Sequence, residues 1–168
     1  MSSAPPQPET PPQPETQPHQ PEPELPPHLD AYRRGMALSH WATARGDEPA
    51  IVSADGDRSW AGLNARVNQL VRALRRRGLQ AGDAIALMCA NRPEFAEVVG
   101  AAQRAGLRLT TLNWHLTADE AGYIVDDCDA KAFVGHARFA PAAAGAARMA
   151  PRVTALLAVG GAIEGFED

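Results

Sequence analysis

Lysine is almost missing from this chain. Among 16 basic residues in 168, Lys131 is the only lysine. A lone lysine invites a catalytic reading, yet it heads an apolar segment, and a structural place at the start of a strand is the reading we favour. Cysteine is nearly as scarce. Cys89 and Cys128 each lie in apolar surroundings and read as reduced core residues, not as a disulfide or a metal pair. No apolar run approaches the ~20 residues of a membrane span. The opening MSSAPPQ lacks the charged and apolar regions of a secretory signal. Together these absences lead us to expect a cytoplasmic protein without a transmembrane segment.

Chemistry-bearing motifs are also absent. There is no GxGxxG after a strand, no GxxxxGK[ST], no HExxH, no GxSxG and no CxxC. Gly160-Gly161 follows an apolar run, but no Ser, Thr, Lys or third glycine completes a phosphate cradle. His40, His115 and His136 are not at metal-ligand spacing. His136 reads as a loop residue just after a strand, while His115 is the more interesting of the two because it sits at a strand end. Asp126, Asp127 and Asp129 read as a solvated helix end, although their charge opposes the helix dipole. From the residues alone, no catalytic, cofactor-binding or metal-binding position can be assigned.

What the chain does have is unevenly spread. Eleven of its 15 prolines fall in the first 27 residues, where QPETPP and QPETQP form a near-repeat. With φ fixed and almost nothing apolar to bury, residues 1–28 are expected to be a disordered, polyproline-leaning tail. The tail carries Glu9, Glu15, Glu22 and Glu24 and no Lys or Arg, so it accounts for the whole formal charge of −4. The remainder is neutral, which gives no electrostatic case for nucleic-acid binding.

Residues 29–168 carry the periodic patterns. A helix from Leu29 to Arg45 is expected to break at Gly35. Ala50–Ser53 and Arg58–Trp60 read as a hairpin about the Asp55-Gly56 turn. Leu63, Val67, Leu70, Val71 and Leu74 then mark a long helix, which ends in Arg75, Arg76 and Arg77 before Gly78. Those arginines, with Arg72, suit a solvated face at the negative end of the dipole. Ala84–Cys89 is a continuous apolar run, as in a parallel strand covered on both faces. Pro93 and Glu94 open the next helix, and Gly106 closes it.

Gly106 to Val134 has the most specific local grammar: a strand, a loop, a helix and a strand. Thr117 and Glu120 form a capping box, and Ala121, Ile124, Val125 and Cys128 supply the stripe. An Ala-rich helix from Ala137 to Ala150, interrupted by Pro141 and Gly145, and an apolar run from Val153 to Val159 complete the pattern. The expected fold is α/β: a mostly parallel β-α-β sheet with an amino-terminal hairpin.

Three segments, in order, also resemble a known family. Ser59-Trp60-Ala61-Gly62-Leu63 is similar to a TYxEL start, and RRRGLQAGDAIALMCANRPEF to an L…GvxxGDrVaixxxNxxEf segment. The third match runs through Gly106, Asn113, Leu116-Thr117, Glu120, Tyr123-Ile124, Asp127 and Ala130-Lys131. Over about Leu38 to Val134 the chain resembles the amino-terminal part of an AMP-binding, adenylate-forming acyl-CoA synthetase of the fatty-acid or aromatic-acid type. The resemblance implies an incomplete copy of the large domain of such enzymes. It also implies, for a complete enzyme, ATP, Mg²⁺ and CoA with a carboxylic or fatty acid as substrate.

In the family the phosphate loop ending in Lys and the catalytic lysine come after the matched region, and Lys131 does not correspond to either. His115 stands where Arg is common. The expectation is therefore an amino-terminal fragment, inactive alone, with a possible complementary chain carrying the missing parts. The alternatives are a non-catalytic interaction module tethered by the proline-rich tail, and an independent flavodoxin-like or nucleotide-binding domain, which would lack its glycine signature.

Overall fold

A computed structural model describes residues 25–167. The tail assigned to residues 1–28 lies outside the described residues up to position 24, while Pro27 and His28 already belong to a first helix, α1 (Pro27–Arg33). Helix α2 (Ala37–Ala44) follows, and Gly35 separates the two at φ +68°. The hairpin is short. Strand β1 (Pro49–Ile51) pairs antiparallel with β2 (Arg58–Ser59). Trp60, expected in the return strand, instead begins helix α3 (Trp60–Arg76). The Ser59 side chain accepts a hydrogen bond from the Gly62 amide, and that cap starts the helix one residue earlier than hydropathy suggests.

The remaining elements alternate as expected: β3 (Ala84–Met88), α4 (Pro93–Ala105), β4 (Arg108–Thr111), α5 (Ala118–Asp127), β5 (Ala130–His136), α6 (Ala140–Met149) and β6 (Ala155–Val159). The four later strands form one parallel sheet in the order β4-β3-β5-β6. Strand β4 is an edge strand with only partial cover, so Thr110 and Thr111 face mixed surroundings.

Alternation along the strands divides the core in two. Ala86, Met88, Phe133 and Ala158 point towards α5 and α6, while Ile85, Leu87, Cys89, Val134 and Ala155 point towards α3 and α4. Both faces are covered, which is why β3 reads as an unbroken apolar run. Each fully buried Leu, Ile or Phe contributes roughly 1.5–3 kcal/mol. A third cluster, of Leu63, Val67, Val71, Ala101 and Ala105, joins α3 to α4 under α2.

Two expectations about helix α6 need correction. Its first turn is a separate 3₁₀ segment, Ala137–Phe139, and neither Pro141 nor Gly145 interrupts it. Pro141 occupies the first turn, where its missing N–H has no partner to lose. Gly145 is buried, and a Cβ there would lie 2.5 Å from the Ala118 Cβ. It is a contact glycine that lets α6 approach α5.

The cysteines are free, with Cys89 buried and Cys128 half-buried at the end of α5. Burial pushes the Cys89 thiol up to about 11, which removes its reactivity at neutral pH. Among the described residues, no helix is long and apolar enough to cross a membrane.

Candidate functional site at the carboxyl edge of the sheet

Neighbouring strands β3 and β5 send their chains to opposite faces of the sheet. After β3 the chain enters α4 and returns to β4. After β5 it enters α6 and returns to β6 on the other side. Open α/β sheets place ligands at such a reversal, outside the carboxyl ends of the strands.

Arg92 and His136 meet there. Arg92, the N-cap residue of α4, directs Nε and Nη2 to the two Glu94 carboxylate oxygens at 2.7 and 3.2 Å. Its Nη1 lies 3.0 Å from His136 Nε2 and 3.8 Å from Asp55 Oδ1 in the hairpin turn. A guanidinium has no acceptor, so His136 Nε2 receives the hydrogen bond and the ring proton sits on Nδ1. That Nδ1 is buried without a partner. Burial, reinforced by the Arg92 charge, holds the His136 pKa below its ordinary value. Burial also pushes the Glu94 carboxyl up, but the Arg92 hydrogen bond and charge outweigh it and the net shift is downward.

His136 therefore differs from the loop residue expected. It is the last residue of β5 and only 7% exposed. Gly160 makes this contact feasible: a Cβ there would stand 2.6 Å from Arg92 Nη1 and 2.9 Å from His136 Nε2. The Gly160-Gly161 pair thus serves close approach between side chains. The cluster joins the hairpin, α4 and the ends of β5 and β6 into one clasp. Three of the five N–H donors of Arg92 make hydrogen bonds within it.

Other sequence candidates are placed apart from this clasp. His115 is exposed, and its amide donates to Asn113 Oδ1 at 3.0 Å, so Asn113 shapes the β4–α5 turn. Trp114 stacks on Phe139 with centroids 6.1 Å apart, fastening that turn to the segment after β5. Lys131 lies at the opposite, amino edge of the sheet, where Nζ is 2.7 Å from Asp83 Oδ1. That contact, with the Gln80 amide, holds the Asp83 carboxyl below the usual range. The Asp126 and Asp129 charges at the end of α5 are met by Arg152, at 3.1 and 2.5 Å. His40 packs edge-on against Trp41 in α2.

Beside the clasp opens a cleft of about 350 Å³ between α3, α4 and the ends of β5 and β6. Its floor is apolar, with Leu70, Val98, Val134, Leu157 and Val159. Arg66 and Arg76 of α3, with Arg77 that caps its end, face Glu94 and Glu97 from α4 across it. Sequence reasoning missed both the cleft and the Arg92–His136 contact, since neither leaves a local signature.

Comparison with known proteins supplies the family. A family model described as AMP-binding enzyme matches residues 38–163. A medium/long-chain-fatty-acid–CoA/3-oxocholest-4-en-26-oate–CoA ligase of Mycobacterium tuberculosis is 29% identical over 120 residues, covering 71% of this chain and 22% of its own length. A 4-hydroxybenzoate–CoA/benzoate–CoA ligase of Rhodopseudomonas palustris is 29% identical over 121 residues, covering 72% of this chain and again 22% of its own. Among solved structures, a fatty acyl CoA synthetase of Mycobacterium tuberculosis superposes with a TM-score of 0.68 at 28% identity, over 74% of this chain and 26% of that one. The chain thus spans about a fifth of the length of the curated relatives it matches.

Proposed function

The chain belongs to the AMP-binding enzyme family, and from that premise we propose that it is the amino-terminal portion of an ATP-dependent acid–CoA ligase, without ligase activity by itself. In a complete enzyme of this kind a carboxylate attacks the α-phosphate of ATP, giving an acyl-adenylate and pyrophosphate, and the CoA thiol then displaces AMP. That chemistry needs Mg²⁺ and convergent cationic groups or amides around the phosphates.

The residues described here do not fit such a load. The one lysine is bound to Asp83 at the amino edge of the sheet, opposite the strand ends where ligands bind. Arg92, the cation best placed at the carboxyl edge, is committed to Glu94, His136 and Asp55. Among the described residues, no group of three His, Cys, Asp or Glu side chains could hold a metal ion. The position of Lys131 is the observation that carries the proposal of inactivity. The part played by this region is then architectural: a two-faced sheet on which later segments would build the site. A complementary chain carrying those segments is the partner this reading calls for, and a cytoplasmic setting suits its free, buried thiol.

ATP–pyrophosphate exchange is the test. The chain alone, with Mg²⁺ and a panel of fatty and aromatic acids, should show no exchange above buffer. Measurable exchange would overturn the proposal. Co-expression with the remaining segments of a related ligase should restore exchange if this region supplies the missing architecture.

A further inference from the structure

We propose that Arg104 is a latent site for a two-oxygen anion, a carboxylate or a phosphate, closed off by the α1–α2 pair. The proposal is independent of the ligase reading. Arg104 lies in the last turn of α4 and reaches across to α3, where its Nη1 donates to Asn68 Oδ1 at 2.7 Å. Its Nε and Nη2 are buried without a hydrogen-bond partner. Burial pulls its pKa below the ordinary arginine value, and no carboxylate among the described residues opposes that shift. A buried charge normally comes with a counter-charge and a full set of hydrogen bonds. The last turn of a helix suits a cation, yet neither free donor finds a carbonyl there.

The two unpartnered atoms are neighbours on the guanidinium. Nε–H and the adjacent Nη2–H point the same way and form the fork that takes two oxygens of a carboxylate or phosphate at once. Asn64, one turn before Asn68 on the same face of α3, has an Oδ1 that is also buried without a donor. Three of the four such atoms among the described residues thus fall on the α3–α4 seam. Orphaned groups concentrated in one place point to a missing ligand there more than to scattered packing faults.

The turn between α1 and α2 lies against this seam. A Cβ on Gly35 would stand 2.6 Å from the Gln103 carbonyl oxygen and 3.4 Å from Arg104 Cα. One on Gly100, a turn earlier on α4, would meet Leu38 of α2 at 2.6 Å and Val67 of α3 at 2.9 Å. The pair is lightly held, since neither α1 nor α2 contains a buried residue. At 7 and 8 residues neither helix is stable by itself, so detachment also melts them. Opening hands the fork to water or to an anion, and an anion that binds only the open form draws the equilibrium towards it.

Amide exchange in the full chain, titrated with acetate or with inorganic phosphate, tests this. Each anion should accelerate exchange in α1 and α2 saturably, while β3 and β5 stay unchanged. A ligand of the open form multiplies its population by 1 + [L]/Kd, so the gain should be about elevenfold at about ten times Kd. Acceleration by one anion alone supports the site and assigns it to carboxylates or to phosphates. R104M/N68A, which removes the buried charge together with its amide partner, should slow exchange in α1 and α2 in plain buffer and abolish the anion response. Faster exchange in that variant would make Arg104 an anchor of the pair and overturn the proposal. An unchanged rate across both titrations, an equal acceleration by chloride at matched ionic strength, or the general slowing that excluded salts produce would overturn it as well. If the variant fails to fold, the titrations of the parent chain with their chloride control decide.

Discussion

His136 is the residue whose environment is most sharply defined. It is buried at the end of β5, accepts from Arg92, and keeps its ring proton on an unpartnered Nδ1. Protonation would set an imidazolium against a guanidinium in a site with little water. Its folded-state pKa is depressed below the ordinary value of 6.5, so between the two pKa values the unfolded chain binds more protons than the folded one. The resulting stability is therefore complete above about pH 7 and declines as pH falls through 6.5 towards the folded value. One proton limits the slope to about 1.4 kcal/mol per pH unit. Urea unfolding between pH 8 and 5.5 should show that decline, and H136N should flatten it in the same window. An unchanged slope in H136N would assign the pH dependence to other groups. The sequence could not disclose this pairing, because Arg92 and His136 are 44 residues apart and neither belongs to a recognisable motif. Lys131 and Asp83 were hidden for the same reason. By contrast, the Thr117–Glu120 box was legible, since both of its hydrogen bonds close within three residues.

At the scale of elements, local signals were good guides to where helices begin and end, and poor guides to what their glycines do. Gly106 takes the left-handed conformation that ends α4, at φ +71°, which L-residues with a Cβ adopt at a cost. Gly145 looks in the sequence like a helix interruption, yet it sits inside a continuous α6 because the constraint is steric and comes from α5. Propensity and packing therefore predict opposite signs for G145A. Alanine in a helix interior gains up to about 1 kcal/mol over glycine. Here its Cβ would fall 2.5 Å from the Ala118 Cβ, with backbone only 3.7 Å away, and neither is a flexible side-chain end. Overpacking of this kind costs about 1–3 kcal/mol. We expect G145A to lower the thermal midpoint, with A118G restoring part of the loss in the double variant. A raised midpoint in G145A would show that α5 and α6 separate easily.

For the whole molecule, the alternation of strands and helices made a two-faced parallel sheet legible, while the strand order was not. Nothing local places β5 beside β3, although that adjacency creates the reversal where Arg92, His136 and Gly160 converge. A second long-range tie attaches the hairpin to this sheet. Glu97 on α4, only 5% exposed, receives Arg58 from β2 at 3.1 Å and Arg66 from α3 at 3.3 Å. One carboxylate thus ties β2 and α3 to α4. Removing one partner from a buried pair typically costs 3–5 kcal/mol, because the remaining charge loses its compensation. Here both arginines keep some access to water, so E97A should fall near the lower end, about 3 kcal/mol by denaturant unfolding. The loss should also be uneven. Amide exchange in β1 and β2 should accelerate well beyond that in β3 and β5, whose protection comes from apolar burial on both faces. Uniform acceleration in E97A would mean that hairpin and sheet unfold as one unit, with the ion pairs adding to global stability instead of fastening the hairpin.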